Sequence, residues 1–177
     1  MSGHSKWAQI KHKKAITDVR RAKVFGKIAR LISIAARDPS TSVALRTAVA
    51  KAREVNMPSD NIERAIKKGT GGGDAAFTGF TYEAYGPGGA ALIITGITDN
   101  NNRTSNEIKH VLAESGGKWA TPGSVLWAFE KKDNEWEPKD YGMIELAPQD
   151  EAALLKLMET LDEHDDVQEI YANNKEL

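Results

Sequence analysis

Lys67-Lys68-Gly69-Thr70-Gly71-Gly72-Gly73, followed shortly by Phe80-Thr81-Tyr82-Glu83-Ala84-Tyr85, is where the periodicity of this sequence changes. Before the glycines, apolar residues recur every three or four positions; after them, every two. Three consecutive glycines carry too much backbone freedom to sit inside an ordered element without a reason. They predict a hinge between a helical part, residues 1–72, and an α+β part, residues 73–177.

Working back from the hinge, Ile62, Ala65 and Ile66 predict a short helix, and Asp60 with Glu63 has the spacing of a capping box at its start. Leu45, Val49, Ala52 and Val55 predict a helix from Val43 to Val55 that ends at Asn56-Met57-Pro58. Thr17 to Arg37 predicts another. Its Val24, Phe25, Ile28, Leu31, Ile32 and Ala35 fall on one side, while Arg20, Lys23, Lys27, Arg30 and Arg37 fall on the other. Asp38-Pro39 with Ser40, Thr41 and Ser42 marks a stop and restart between the two.

Working forward, Gly86-Pro87-Gly88-Gly89 is turn chemistry and Ala91 to Ile97 an apolar strand. Thr104 to Ser115 reads as a helix, and Ser124 to Glu130 and Met143 to Leu146 as strands. Gln149 to Glu163 is an acidic helix with Leu154, Leu157, Met158 and Leu161 inside, and Val167 to Tyr171 a last strand. The class is therefore α+β: an amino-terminal three-helix bundle, then a ferredoxin-like antiparallel α/β sandwich with its helices on one face.

The hinge also divides the charge. Met1 to Thr70 holds 16 Lys and Arg against 5 Asp and Glu, a net of +11, while Gly71 to Leu177 holds 8 against 20, a net of −12. The overall −1 is a cancellation. So dense a basic module is the electrostatic footprint of a protein that docks on phosphates. There is no cysteine, which excludes a disulfide, a thiol nucleophile and a thiolate metal site, and suits a reducing compartment. The first residues contain no apolar stretch of signal-peptide length and no segment approaches a membrane span, so the expected location is cytoplasmic.

Catalytic patterns are missing. His4, His12, His110 and His164 are scattered, no HExxH occurs, and neither glycine run has the GKT or GKS ending and following helix of a phosphate loop. No enzyme activity, cofactor, metal or small-molecule substrate is expected. The densest interleaving of cations with an aromatic is Ser5 to Lys14, where Lys6, Lys11, Lys13, Lys14 and His12 surround Trp7. Such a tail suits RNA or distorted DNA, with the indole stacked on an unpaired base. The alternative is that Trp7 packs back on the helical bundle. Arg103, at the start of a predicted helix, opposes the helix dipole, a conflict that a ligand phosphate would remove.

His4-Ser5-Lys6-Trp7, the stretch from Asn56-Met57-Pro58 to Lys67-Lys68-Gly69, Tyr82 to Gly89, Asp99 to Arg103-Thr104, and Phe129-Glu130-Lys131-Lys132 together resemble the YebC/PmpR family. A mitochondrial relative is the translational activator of cytochrome oxidase subunit I. The likeness runs from Ser2 to about Lys132 and resumes near Met143, ending with Asp165-Asp166-Val167-Gln168. The resemblance implies a helical bundle followed by α/β domains, no catalysis, and a role in gene expression. Family members are described as DNA-binding transcriptional regulators and as ribosome-associated factors that help translation through proline-rich stretches. Members carry a further α/β domain after the segment matching Phe129 to Lys132. Here only 133–142 fills that place, which puts any function lodged in that domain in doubt.

The expectation from sequence is thus a monomeric nucleic-acid-binding regulator, on ribosomal RNA or else on DNA, with no membrane contact. Its candidate contacts are Lys6, Trp7, Lys11, His12, Lys13, Lys14, Arg20, Lys23, Lys27, Arg30 and Arg103. A promoter-binding regulator would need base-edge readout, and no helix here has recognisable helix-turn-helix spacing. A third possibility from a different class is a protein-interaction adaptor using the acidic part.

Overall fold

A computed structural model describes Trp7 and residues 17–37, 42–71 and 77–175. Two compact units emerge. One takes its described residues from 16–79 and Ile97–Asn101; the other comprises Trp7, Phe80–Gly96 and the described residues from Asn102 onward.

The helical unit holds α1 (Asp18–Ala35), α2 (Ser42–Glu54) and α3 (Ser59–Thr70). Thr17 caps α1, its side chain accepting from the Arg20 amide at 3.4 Å. Asn56 lies in the left-handed region at φ 57°, and the Met57 amide then donates to the Ala52 carbonyl at 2.9 Å, a Schellman-type closure of α2. The expected capping box of α3 is not what begins it. Pro58 is the N-cap and makes no side-chain cap bond, and Asp60 sits inside the first turn, where its charge suits the helix dipole. Ile28, Ile32, Ala48, Ala52, Met57, Ile62 and Ala65 form the core between the three helices. α1 and α3 pack closely at Gly69, where an added Cβ would lie 2.3 Å from the Ser33 carbonyl oxygen. Buried Ser33 donates its hydroxyl to the Ala65 carbonyl at 2.9 Å, fastening the same contact.

The second unit is built on a four-stranded sheet of β1 (Thr78–Tyr85), β2 (Ala91–Thr98), β3 (Lys118–Trp119) and β6 (Val167–Ala172), in the order β3-β1-β2-β6. β3 and β6 pair antiparallel with β1 and β2. The short β1–β2 connection, with a 3₁₀ turn at Pro87–Gly89, allows only an antiparallel pair. The sandwich is therefore of the expected α+β antiparallel class, as a ββαβ…αβ variant with the hairpin in its centre. α4 (Asn101–Glu114) and α5 (Pro148–Asp162) cover one face, where Ile108, Leu112, Leu154, Leu157 and Leu161 pack on Leu92 and Ile94. Ala91 and Ile93, on the opposite face, meet Ala120, Val125, Ala128 and Phe129. Covering on both faces explains why β2 reads as a continuous apolar run.

Other expectations shift. Lys118–Trp119 forms β3, too short to show any period. Leu126–Ala128 is a 3₁₀ turn before β4 (Phe129–Lys132), not the start of a strand. Met143 to Leu146 supplies a single bridge, Ile144 with Asn174. Within 133–142 lies β5 (Glu135–Pro138), paired in register with β4. Asp133 (φ 48°) and Asn134 (φ 70°) turn that hairpin in the left-handed pair of a two-residue type I′ loop. The charges of Glu83 also depart from a simple solvated strand face: its buried carboxylate accepts from the amides of Gly123, Val125 and Leu126.

Candidate nucleic-acid interface

The glycine run that predicts the hinge lies in part outside the described residues, as do Lys6, Lys11, His12, Lys13 and Lys14. Trp7 is described, and it is 9% exposed, packed into the core of the sheet unit with Leu92, Leu112 and Leu154 among its cluster. This corrects both sequence readings of Trp7: the ring is an anchor in the α/β core, neither packed on the bundle nor open for stacking on a base. Among the described residues its shielded indole Nε1 meets no hydrogen-bond partner.

Arg103 is also reassigned. It sits in the first turn of α4, and its guanidinium lies 2.7 Å from the Asp166 carboxylate, with Glu107 at 3.8 Å. Asp166 is buried and also accepts from the Thr104 hydroxyl at 2.6 Å. The dipole conflict that seemed to ask for a ligand phosphate is met by the chain's own carboxylate. Glu107, His164 and Asp166 bring three possible ligand atoms within 4.8 Å. They do not suit a metal ion. His164 Nδ1 accepts from the Asp166 amide, which leaves the Nε2 proton pointing at Glu107 Oε2, 2.8 Å away, and Arg103 already supplies the cation.

Arg20, Lys23, Lys27 and Arg30 remain in one row along α1, because steps of three, four and three residues return to the same helix face. Lys23 is exposed and the other three half-buried. The described residues of the helical unit hold twelve Lys and Arg against five Asp and Glu, a net of +7. The sheet unit's described residues hold eight against seventeen, a net of −9.

The last member of the row turns into a cleft of about 570 Å³ between α1 and α3. Arg30, Arg64, Lys68, Asn61 and Asp99 bring its polar groups, and Phe25, Met57 and Phe77 its apolar ones. The Arg30 guanidinium and the Lys68 ammonium lie 5.6 and 4.6 Å from the centre of the same buried ring, Phe77. Arg30 also donates to the Ile97 carbonyl at 3.5 Å, and Arg37 to the Phe77 carbonyl at 2.6 Å. Arg64 bonds to the Asn61 side chain and to the Asp60 carbonyl. Sequence reasoning missed Arg64, Lys68 and Phe77. The first two stand one helical turn apart on α3, a signal present in the sequence, whereas nothing local marks Phe77.

These features define a class: α+β proteins in which a basic three-helix unit is joined to an acidic antiparallel sheet unit. The chain belongs to the TACO1/YebC family. Residues 5–72 match the TACO1/YebC protein N-terminal domain, and residues 77–134 match the TACO1/YebC second and third domain. It is 49% identical to a "Probable transcriptional regulatory protein" of Petrotoga mobilis over 96% of this chain and 69% of that protein. A protein of the same description from Fervidobacterium nodosum is 52% identical over 75% of this chain and 54% of its own length. Another, from Natranaerobius thermophilus, is 36% identical over 98% of this chain and 96% of the relative. That alignment runs 243 positions against 177 residues here, so at least 66 positions of the relative have no counterpart. A crystal structure of a conserved hypothetical protein from Aquifex aeolicus superposes with a TM-score of 0.85, at 30% identity and covering 97% of each chain. Among the described residues, no helix is long and apolar enough to cross a membrane.

Proposed function

We propose that this chain is a non-enzymatic regulator of gene expression that binds structured RNA of the ribosome through its helical unit and assists translation through difficult, proline-rich stretches. The observation that carries the reading is the alignment of Arg20, Lys23, Lys27 and Arg30 along one side of α1, within a unit whose described residues are net +7. A row of cations on a rigid helix places charges at the few-ångström spacing of successive phosphates and releases their counterions. The described residues of the sheet unit, at net −9, repel the same polyanion and so bias which surface docks. The family relationship supports a role in regulation.

The test is co-sedimentation with purified ribosomes across a salt series. The wild-type chain is expected to bind with strong salt dependence, and the triple variant Arg20→Glu, Lys23→Glu, Lys27→Glu to lose most of that binding while keeping its helical circular dichroism. Unchanged binding by the variant would refute the reading. A second reading, regulation of transcription on DNA, is favoured by the names of the bacterial relatives. A footprint on one defined duplex, with no ribosome binding, would establish it instead.

A further inference from the structure

We propose that the cleft between α1 and α3 receives a single unpaired nucleotide from a bound nucleic-acid strand, a role that rests on the nucleic-acid reading above. A flat phosphate grip has no use for a cavity of this kind. At about 570 Å³ the cleft falls within the ~300–1,000 Å³ of small-molecule sites and is far larger than one phosphate group needs. Its chemistry is also mixed in the way a nucleotide is mixed. Arg30, Arg64 and Lys68 provide cations for phosphate, Phe25 and Met57 an apolar wall for a base, and Asn61 and Asp99 the amide and carboxylate that read base edges. A carboxylate among three cations works against a pure phosphate site, whereas it is useful to a base bearing amino groups.

An independent observation comes from two glycines. A glycine inside a helix costs about 1 kcal/mol relative to alanine, so its presence calls for a reason. Gly69 has one, since the Ser33 carbonyl and Ala36 leave no room for a Cβ. Gly26, in the middle of α1, has no packing reason among the described residues, because a Cβ built there meets no tertiary neighbour within 4 Å. It lines the cleft. It is exposed at the edge of the cleft, so the absence of a side chain leaves the helix surface beside Arg30 bare to an incoming ligand. Phe77 adds a further element of design: by drawing Arg30 and Lys68 to one ring, it holds two like charges near each other in advance of the anion.

The test uses the full chain and two labelled RNA hairpins of identical stem, one perfectly paired and one carrying a single bulged purine, followed by fluorescence anisotropy. Wild type is expected to prefer the bulged hairpin about tenfold, the scale of one captured base. Gly26→Leu, which adds bulk at the edge of the cleft without altering charge, should abolish the preference while leaving affinity for the perfect stem within about twofold. Asn61→Ala should reduce the preference by a smaller factor, and circular dichroism reports that both variants keep their helices. Equal binding of the two hairpins by wild type, or a preference that survives Gly26→Leu, overturns the proposal while leaving the nucleic-acid reading in place. Failure of wild type to bind either hairpin at low salt removes both.

Discussion

Glu83 holds the loop after β3 by accepting three amide hydrogen bonds, the Val125 amide at 2.7 Å among them. Alanine at this position leaves the buried Val125 and half-buried Leu126 amides without this acceptor, and the expected loss of stability is about 2–3 kcal/mol. Urea denaturation checks it; glutamine, which keeps one acceptor oxygen, should cost less. Tyr171 contributes a pH dependence. Burial first, then the negative charges of Glu169 and Glu135, push its phenol up to about 12, against a partial opposing effect of a hydrogen bond from the Trp136 backbone. The folded protein thus retains a proton that the unfolded chain loses near the ordinary value of 10. The associated stability is whole below that value and is lost as pH rises towards about 12. Unfolding measured across this range should show a shallower alkaline decline for Tyr171→Phe than for wild type.

Among the elements, α1 and α3 carry the sharpest contrast. Gly69→Ala forces a Cβ against the backbone of Ser33 and is expected to destabilise by about 1–3 kcal/mol through overpacking. Gly26→Ala meets nothing among the described residues and should stabilise by up to about 1 kcal/mol. Opposite shifts of the urea midpoint in the two variants are the expected outcome; shifts of the same sign would contradict the packing described. The helices were legible because each has an amphipathic stripe longer than two turns, and α1 differs from its expected bounds only at the ends. The sheet was harder to read. β3 has two residues, and β4 and β5 four each, too few for alternation to stand out from chance. β2 hides its period for the opposite reason, being packed on both sides.

At the scale of the molecule, charge and fold class were legible because both are sums over many residues and survive local errors. The site was legible only in part. The α1 row follows from helical spacing alone, but the cleft joins Arg30 to Lys68, Phe77 and Asp99, residues far apart in sequence that only tertiary packing brings together. Trp7 misled because an aromatic among lysines looks available until its distant partner, the sheet core, is known; Arg103 gains in Asp166 a partner that local sequence does not announce.

The β4–β5 hairpin has a wider consequence. Its strands are in register up to Lys132 and Glu135, and the two turn residues beyond them are exposed. Chain that leaves at one strand end therefore returns beside it, a strand spacing of about 5 Å away. The junction therefore joins two neighbouring strand ends through exposed residues alone, so a longer connection at this point would begin and end on the same edge of the hairpin.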